Sequence, residues 1–102
     1  MPIIVFQTLH EGATLAQVDE VSAELDLGLV PAEGLISHAI YEEGGRLVAA
    51  DVWESEEEFN AFVQDRLIPA IGTVATRNGM DPAAMPPPEI RIFLAHDVVK
   101  GA

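Results

Sequence analysis

The sequence predicts an α+β domain in which four strands and two helices follow the order βαββαβ. Three observations carry that order. Short apolar-rich runs stand at Ile3 to Gln7, Leu35 to Tyr41, Arg46 to Trp53 and Glu89 to Val99. Apolar residues at helical spacing fill the intervals between the first and second runs and between the third and fourth. A Gly-Gly step joins the second run to the third, as a tight hairpin requires.

The first strand starts almost at the N-terminus and is broken by His10-Glu11-Gly12-Ala13. Thr14 followed by Gln17 makes a capping box, in which hydroxyl and amide satisfy backbone donors left open in a first helical turn. Leu15, Val18, Val21 and Leu25 follow as one stripe, with Asp19, Glu20, Glu24 and Asp26 largely off it, so an amphipathic helix should run to near Gly28. Pro31 and Gly34 punctuate the connection to Leu35–Tyr41. Glu42 to Gly45 turns the chain, and Arg46–Trp53 returns as the hairpin partner. Ser55 with Glu58 forms a second capping box, and Glu56 to Glu58 set negative charge against the positive end of the helix dipole. Phe59, Phe62, Val63 and Leu67 mark the buried stripe of the second helix. Pro69 either kinks this helix or starts a short new one, ending near Asn78-Gly79. Asp81 to Pro88 should be extended, because residues before proline avoid the helical region. The result is a split-βαβ, ferredoxin-like arrangement with a four-stranded antiparallel sheet.

Composition narrows the function. With 102 residues the chain is expected to form a single domain over 1–102, large enough to bury a core without disulfides or a structural metal. It has 5 Lys+Arg against 17 Asp+Glu, and Met1 to Gly45 contains no basic residue. Nucleic acid is therefore an unsuitable partner, since duplex binding needs cations to displace phosphate counterions, and anionic membrane surfaces are disfavoured for the same reason. The absence of cysteine excludes disulfide frameworks, zinc ribbons and thiol catalysis. No apolar run approaches the roughly 20 residues of a membrane span, and no charged region precedes an apolar one at the N-terminus. A soluble cytoplasmic protein is expected.

Strand alternation sorts the hairpin onto two faces. One carries Leu35, Ser37, Ala39, Tyr41, Val48, Ala50 and Val52; the other carries Ile36, His38, Ile40, Leu47, Ala49, Asp51 and Trp53. With the hairpin closed by a two- or four-residue loop, Tyr41 faces Arg46 and His38 faces Ala49, leaving His38 and Asp51 on a cross-strand diagonal of about 7–8 Å. An imidazole, a carboxylate and an indole thus share one otherwise apolar surface. An Asp beside a His favours the protonated ring and fixes its tautomer, which suits a general base or a donor to a developing oxyanion. The same pair also serves as plain scaffolding in many domains. Trp53 either stacks on a flat ligand or fills the core. Gln7, on the face of Ile3 and Val5, either orients a ligand or bonds a neighbouring backbone. His10 and His96 read as surface residues, and three histidines without paired spacing do not make a metal site. Phosphate-cradling glycines and a nucleophile elbow are absent.

At Asp51-Val52-Trp53-Glu54-Ser55-Glu56-Glu57-Glu58-Phe59 the chain resembles the dimeric α+β barrel superfamily, in particular the antibiotic-biosynthesis-monooxygenase type of domain. There a third strand ending in Trp-Glu-Ser runs directly into an amphipathic helix with an early aromatic. The resemblance implies a homodimer with sheets facing each other in a barrel, and a ligand pocket in each subunit between sheet and helices. It also implies chemistry drawn from cofactor-independent oxygenation of polyphenols or quinols, aromatic cyclisation, isomerisation or haem degradation. The haem-degrading branch uses a first-strand amide, a Trp ending the third strand and a His on the second helix. Gln7 and Trp53 match the first two, but Phe62 stands where the His would be, which argues against haem cleavage.

Two functions therefore stand open. One is a cofactor-independent enzyme acting on an aromatic or polyketide-like small molecule, with His38 and Asp51 as catalytic residues and Trp53, Gln7 and Phe62 binding substrate. The other is a non-catalytic module that binds a small molecule or a partner.

Overall fold

A computed structural model describes residues 1–101. Its elements are β1 (Ile3–Thr8), α1 (Leu15–Leu25), β2 (Leu35–Glu43), β3 (Arg46–Trp53), α2 (Glu56–Phe62), a π-helical turn (Val63–Leu67), α3 (Ile68–Arg77), a short 3-10 turn (Pro82–Ala84) and β4 (Glu89–Leu94). The strands form one antiparallel sheet in the order β2-β3-β1-β4. Both βαβ crossovers therefore skip a strand, the split arrangement expected from the element order.

Local chemistry explains most boundaries. Thr14 and Gln17 close their capping box in both directions, at 3.2 and 2.9 Å. The helix they start spans its whole apolar stripe and ends at Leu25, slightly before the expected Gly28, because Asp26 adopts a left-handed conformation with φ 51°. Leu15 drops out of that stripe and is exposed. Ser55 accepts from the Glu58 amide, but the reciprocal half of the second box is missing: the Ser55 hydroxyl donates to the Glu58 carboxylate instead. Of the two outcomes expected at Pro69, the structure shows the second: a new helix, α3, starts there. The preceding turn is widened, with the Ile68 amide reaching back to Val63, and Pro69 sits in the first turn of α3 where no donor is missed. The last strand is shorter than expected, ending at Leu94 rather than Val99.

The hairpin register differs by two from the expected pairing. Gly44 and Gly45 alone form the loop, both with positive φ (59° and 80°), so Glu43 pairs with Arg46 and His38 lies directly opposite Asp51. A shift of two preserves which face each side chain occupies. A bulge at Ile36 then changes the face of Leu35, which pairs with Trp53 and joins its cluster.

Three rows cross the helix-facing side of the sheet: Leu94–Ile3–Trp53–Leu35, Ile92–Val5–Asp51–His38, and Ile90–Gln7–Ala49–Ile40. The core forms on the first of these together with Val5 of the second: Ile3, Val5, Ala32, Trp53 and Phe59 are buried together, and Leu27, Leu35, Phe62 and Val63 pack around them. The opposite side carries the rows Phe93–Ile4–Val52–Ser37, Arg91–Phe6–Ala50–Ala39 and Glu89–Thr8–Val48–Tyr41. Of those twelve residues only Val48 is buried. The helix layer also stops short of β4, whose Ile90, Ile92 and Leu94 on that side are all exposed.

Candidate functional site

Asp51 is the centre of the candidate site. It lies mid-strand on β3, one row from the core, and is 5% exposed. A lone buried carboxylate would be costly, and its two oxygens are instead shared between two neighbours. Oδ1 is 2.5 Å from His38 Nδ1, and Oδ2 accepts from Trp53 Nε1 at 3.3 Å. The direct cross-strand register supplies the first contact and the two-residue strand repeat the second.

His38 sits on the edge strand β2, with 38% of its side chain open to solvent. Its hydrogen bond to Asp51 raises its protonation midpoint above the ordinary 6.5; partial burial opposes that rise, and the charge of Asp51 adds to it. With an ionised carboxylate facing Nδ1, that nitrogen carries the proton and the neutral ring presents Nε2 as an acceptor. The pair can therefore take a proton from a bound molecule at Nε2 and hold the resulting imidazolium.

The remaining sequence candidates fall close by, in different settings. Gln7 is 8% exposed, and its side chain makes no hydrogen bond among the described residues. It lies diagonally across the sheet from Asp51, beside Ala49, whose small side chain separates it from Ile40. Trp53 has no exposed surface. Its ring packs at 5.7 Å from Phe59 and 5.1 Å from Phe62, so no ring face is open to a planar ligand. Phe62 is half-buried on the far side of that indole, with the Arg66 guanidinium 5.7 Å above its own ring. His10 and His96 lie outside this group, and no cluster of metal-ligating side chains occurs among the described residues.

All five basic side chains are engaged away from His38. Arg46 donates to the Leu9 carbonyl, Arg66 to the carbonyls of Leu25, Val30 and Pro31, Arg77 to Glu24, and Lys100 to Glu54, while Arg91 lies over Phe6 on the open face. Two grooves lie elsewhere. One of about 470 Å³ runs between the β2 bulge and the C-terminal segment, lined by Leu35, Ile36, Ser37, Val52, Val98 and Val99 among others. A smaller one lies between α1 and α3. The Trp53–Asp51 hydrogen bond was not expected from the sequence, although the i, i+2 spacing placed both residues on one face.

No protein-family model matches the chain, and no curated protein matches it at a significant level. Solved structures do, and they show its fold: ferredoxin-like α+β, shared with structures described as antibiotic biosynthesis monooxygenases. A protein of that type from Caulobacter crescentus superposes with a TM-score of 0.66 at 17% identity, covering 94% of this chain and 91% of its own. SnoaB, a cofactor-independent oxygenase from Streptomyces nogalater, superposes with a TM-score of 0.56 at 20% identity, covering 96% and 94%. A third, of the monooxygenase type from Chloroflexus aurantiacus, gives 0.58 at 16% identity over 97% of both chains. At these identities the likeness is one of fold, and any function has to be argued from the side chains. No helix among the described residues is long and apolar enough to cross a membrane.

Proposed function

We propose that this chain is a small cofactor-independent enzyme in which His38, held by Asp51, abstracts a proton from an aromatic or polyketide-like substrate. The observation that carries the reading is the 2.5 Å His38–Asp51 contact, set on an otherwise apolar sheet face with the imidazole still open to solvent. A phenol or enol gives its proton to Nε2, Asp51 stabilises the imidazolium, and the carbanion-like product is then ready for attack by dioxygen, ring closure or return of the proton at another carbon. SnoaB's description as a cofactor-independent oxygenase on the same fold supports this class of chemistry. Gln7, whose amide has no hydrogen-bond partner among the described residues, is the candidate to orient a substrate oxygen. Trp53 and Phe62 form the wall behind the pair. With every basic side chain engaged elsewhere, the substrate should carry no phosphate or carboxylate.

The active form is proposed to be a homodimer. The open sheet face, with Phe6, Phe93, Tyr41 and Ile4, is an apolar surface that a second copy would cover. A dimer mass by light scattering at micromolar concentration supports this, and a monomer contradicts it.

The experiment for the enzyme is turnover of a panel of planar phenols by wild type and His38→Ala. A loss of about 100-fold or more in kcat/KM, with the melting temperature little changed, is expected for a removed general base. Equal turnover removes His38 from the mechanism. Tight binding of a phenol without conversion favours the binding-module reading. Because the neutral ring is the base, kcat/KM should rise with pH through a midpoint above 6.5.

A further inference from the structure

A smaller aromatic such as Phe would still supply an apolar ring at this place in the core, yet the buried indole brings a polar N–H to the one buried carboxylate among the described residues. We infer that Trp53 is a positioning residue for His38: its indole N–H fixes the Asp51 carboxylate that holds the imidazole, so the packing of α2 on the sheet sets the aim of His38. The functional meaning of this rests on the proposed proton transfer; the coupling itself is a property of three side chains and is testable without a substrate.

The geometry supports a clamp. A carboxylate on a strand has two side-chain torsions, and the outer one is broad and roughly two-fold. One hydrogen bond leaves that rotation soft. Here the two oxygens have different partners, His38 on Oδ1 and Trp53 on Oδ2, which fixes the plane of the group. The indole cannot follow a moving carboxylate, because it is wholly buried between Phe59 and Phe62, with Ile3 opposite it on β1. His38 has no such wall, since its strand is at the sheet edge and its ring is part-open. The rigid end of the chain of contacts is therefore the Trp, and the mobile end is the group proposed to react. Among the described residues, the charged side chain that raises the His38 midpoint is Asp51. The α2 side chains packed on the indole, Phe59 and Phe62, carry no charge.

The chain has a single Trp, so its indole N–H gives one assignable resonance. In the wild-type protein that resonance should shift with pH at the same midpoint as the His38 ring signals, and Asp51→Asn should abolish the shift. Trp53→Phe, which keeps a ring and removes the donor, should move the His38 midpoint by about half a unit, a threefold change in proton affinity. Val74→Ala, which thins the buried layer on α3 outside the Trp53 cluster and keeps the N–H, should leave the midpoint in place. An indole resonance that stays flat across the His38 titration overturns the inference, and this arm needs no substitution that threatens folding. Equal His38 midpoints in Trp53→Phe and wild type also overturn it. If the coupling is found but no phenol is turned over, the enzyme proposal fails and the positioning relation stands.

Discussion

The two faces of this sheet come from the same four strands and are built on opposite principles. The helix-facing side buries a carboxylate and an amide among Ile3, Val5 and Trp53. The open side exposes Phe93, Tyr41 and Arg91 around a centre of Ala39 and Ala50. Polar groups on the covered side are shielded from water, so each hydrogen bond there is electrostatically stronger and each broken one more costly. Apolar groups on the open side are wet and have no intramolecular layer to bury them. The first face is suited to fixing a proton-transfer group, the second to meeting another copy.

The largest test of this contrast is on the covered side. Trp53→Ala should cost about 3–5 kcal/mol in denaturant unfolding, the range for truncating a fully buried large aromatic. A cost under about 1 kcal/mol would mean that the Trp53 cluster is not the core. On the open side, Phe93→Glu should leave the helical circular dichroism unchanged while converting the proposed dimer to a monomer by light scattering. Retention of the dimer would move the interface to another surface.

A smaller effect separates the two sides by pH. The folded midpoint of His38 is raised, so its bond to Asp51 stabilises the fold fully below the ordinary value of 6.5 and loses that contribution as pH rises through the folded midpoint. The stability gap between wild type and His38→Gln should therefore narrow on going from pH 6 upward, as read by denaturant midpoints. A gap that is constant or widens would show that the pair does not act in this way. The smallest effect is at the entry to α2: Ser55→Ala removes the cap that seats the helix against Trp53, and should cost about 1 kcal/mol.

The parts of the fold that local chemistry dictates were legible in the sequence. Capping by Thr14 and Ser55, the Gly44-Gly45 turn and the alternation of β3 each depend on residues a few positions apart. His38 and Asp51 were legible as a pair because alternation places them on one face of the hairpin, and a two-residue change of register does not alter it; Gln7 was placed only with Ile3 and Val5, and the pairing of β1 with β3 brings it to theirs. What was not legible depends on long-range contact. Nothing in Leu35-Ile36-Ser37 marks the bulge, which arises where β2 must meet both Trp53 and Val52. Whether Trp53 fills the core or offers a ring face depended on where Phe59 and Phe62 land, and β4 ends where its partner β1 begins, at the Ile3–Leu94 pair, beyond which the Ala95 amide still bonds the Pro2 carbonyl but Pro2 has no N–H to return.

The central claim is that His38 Nε2 meets the acidic proton of a substrate over the helix-facing side of the sheet. A crystal structure with a planar phenol bound tests it most directly. The account predicts the phenolic oxygen within about 2.6–3.2 Å of His38 Nε2, with the ring over Ala49 and near Gln7. A phenol seated in the groove beside Val98 and Val99, or between open sheet faces, with His38 untouched, would contradict it.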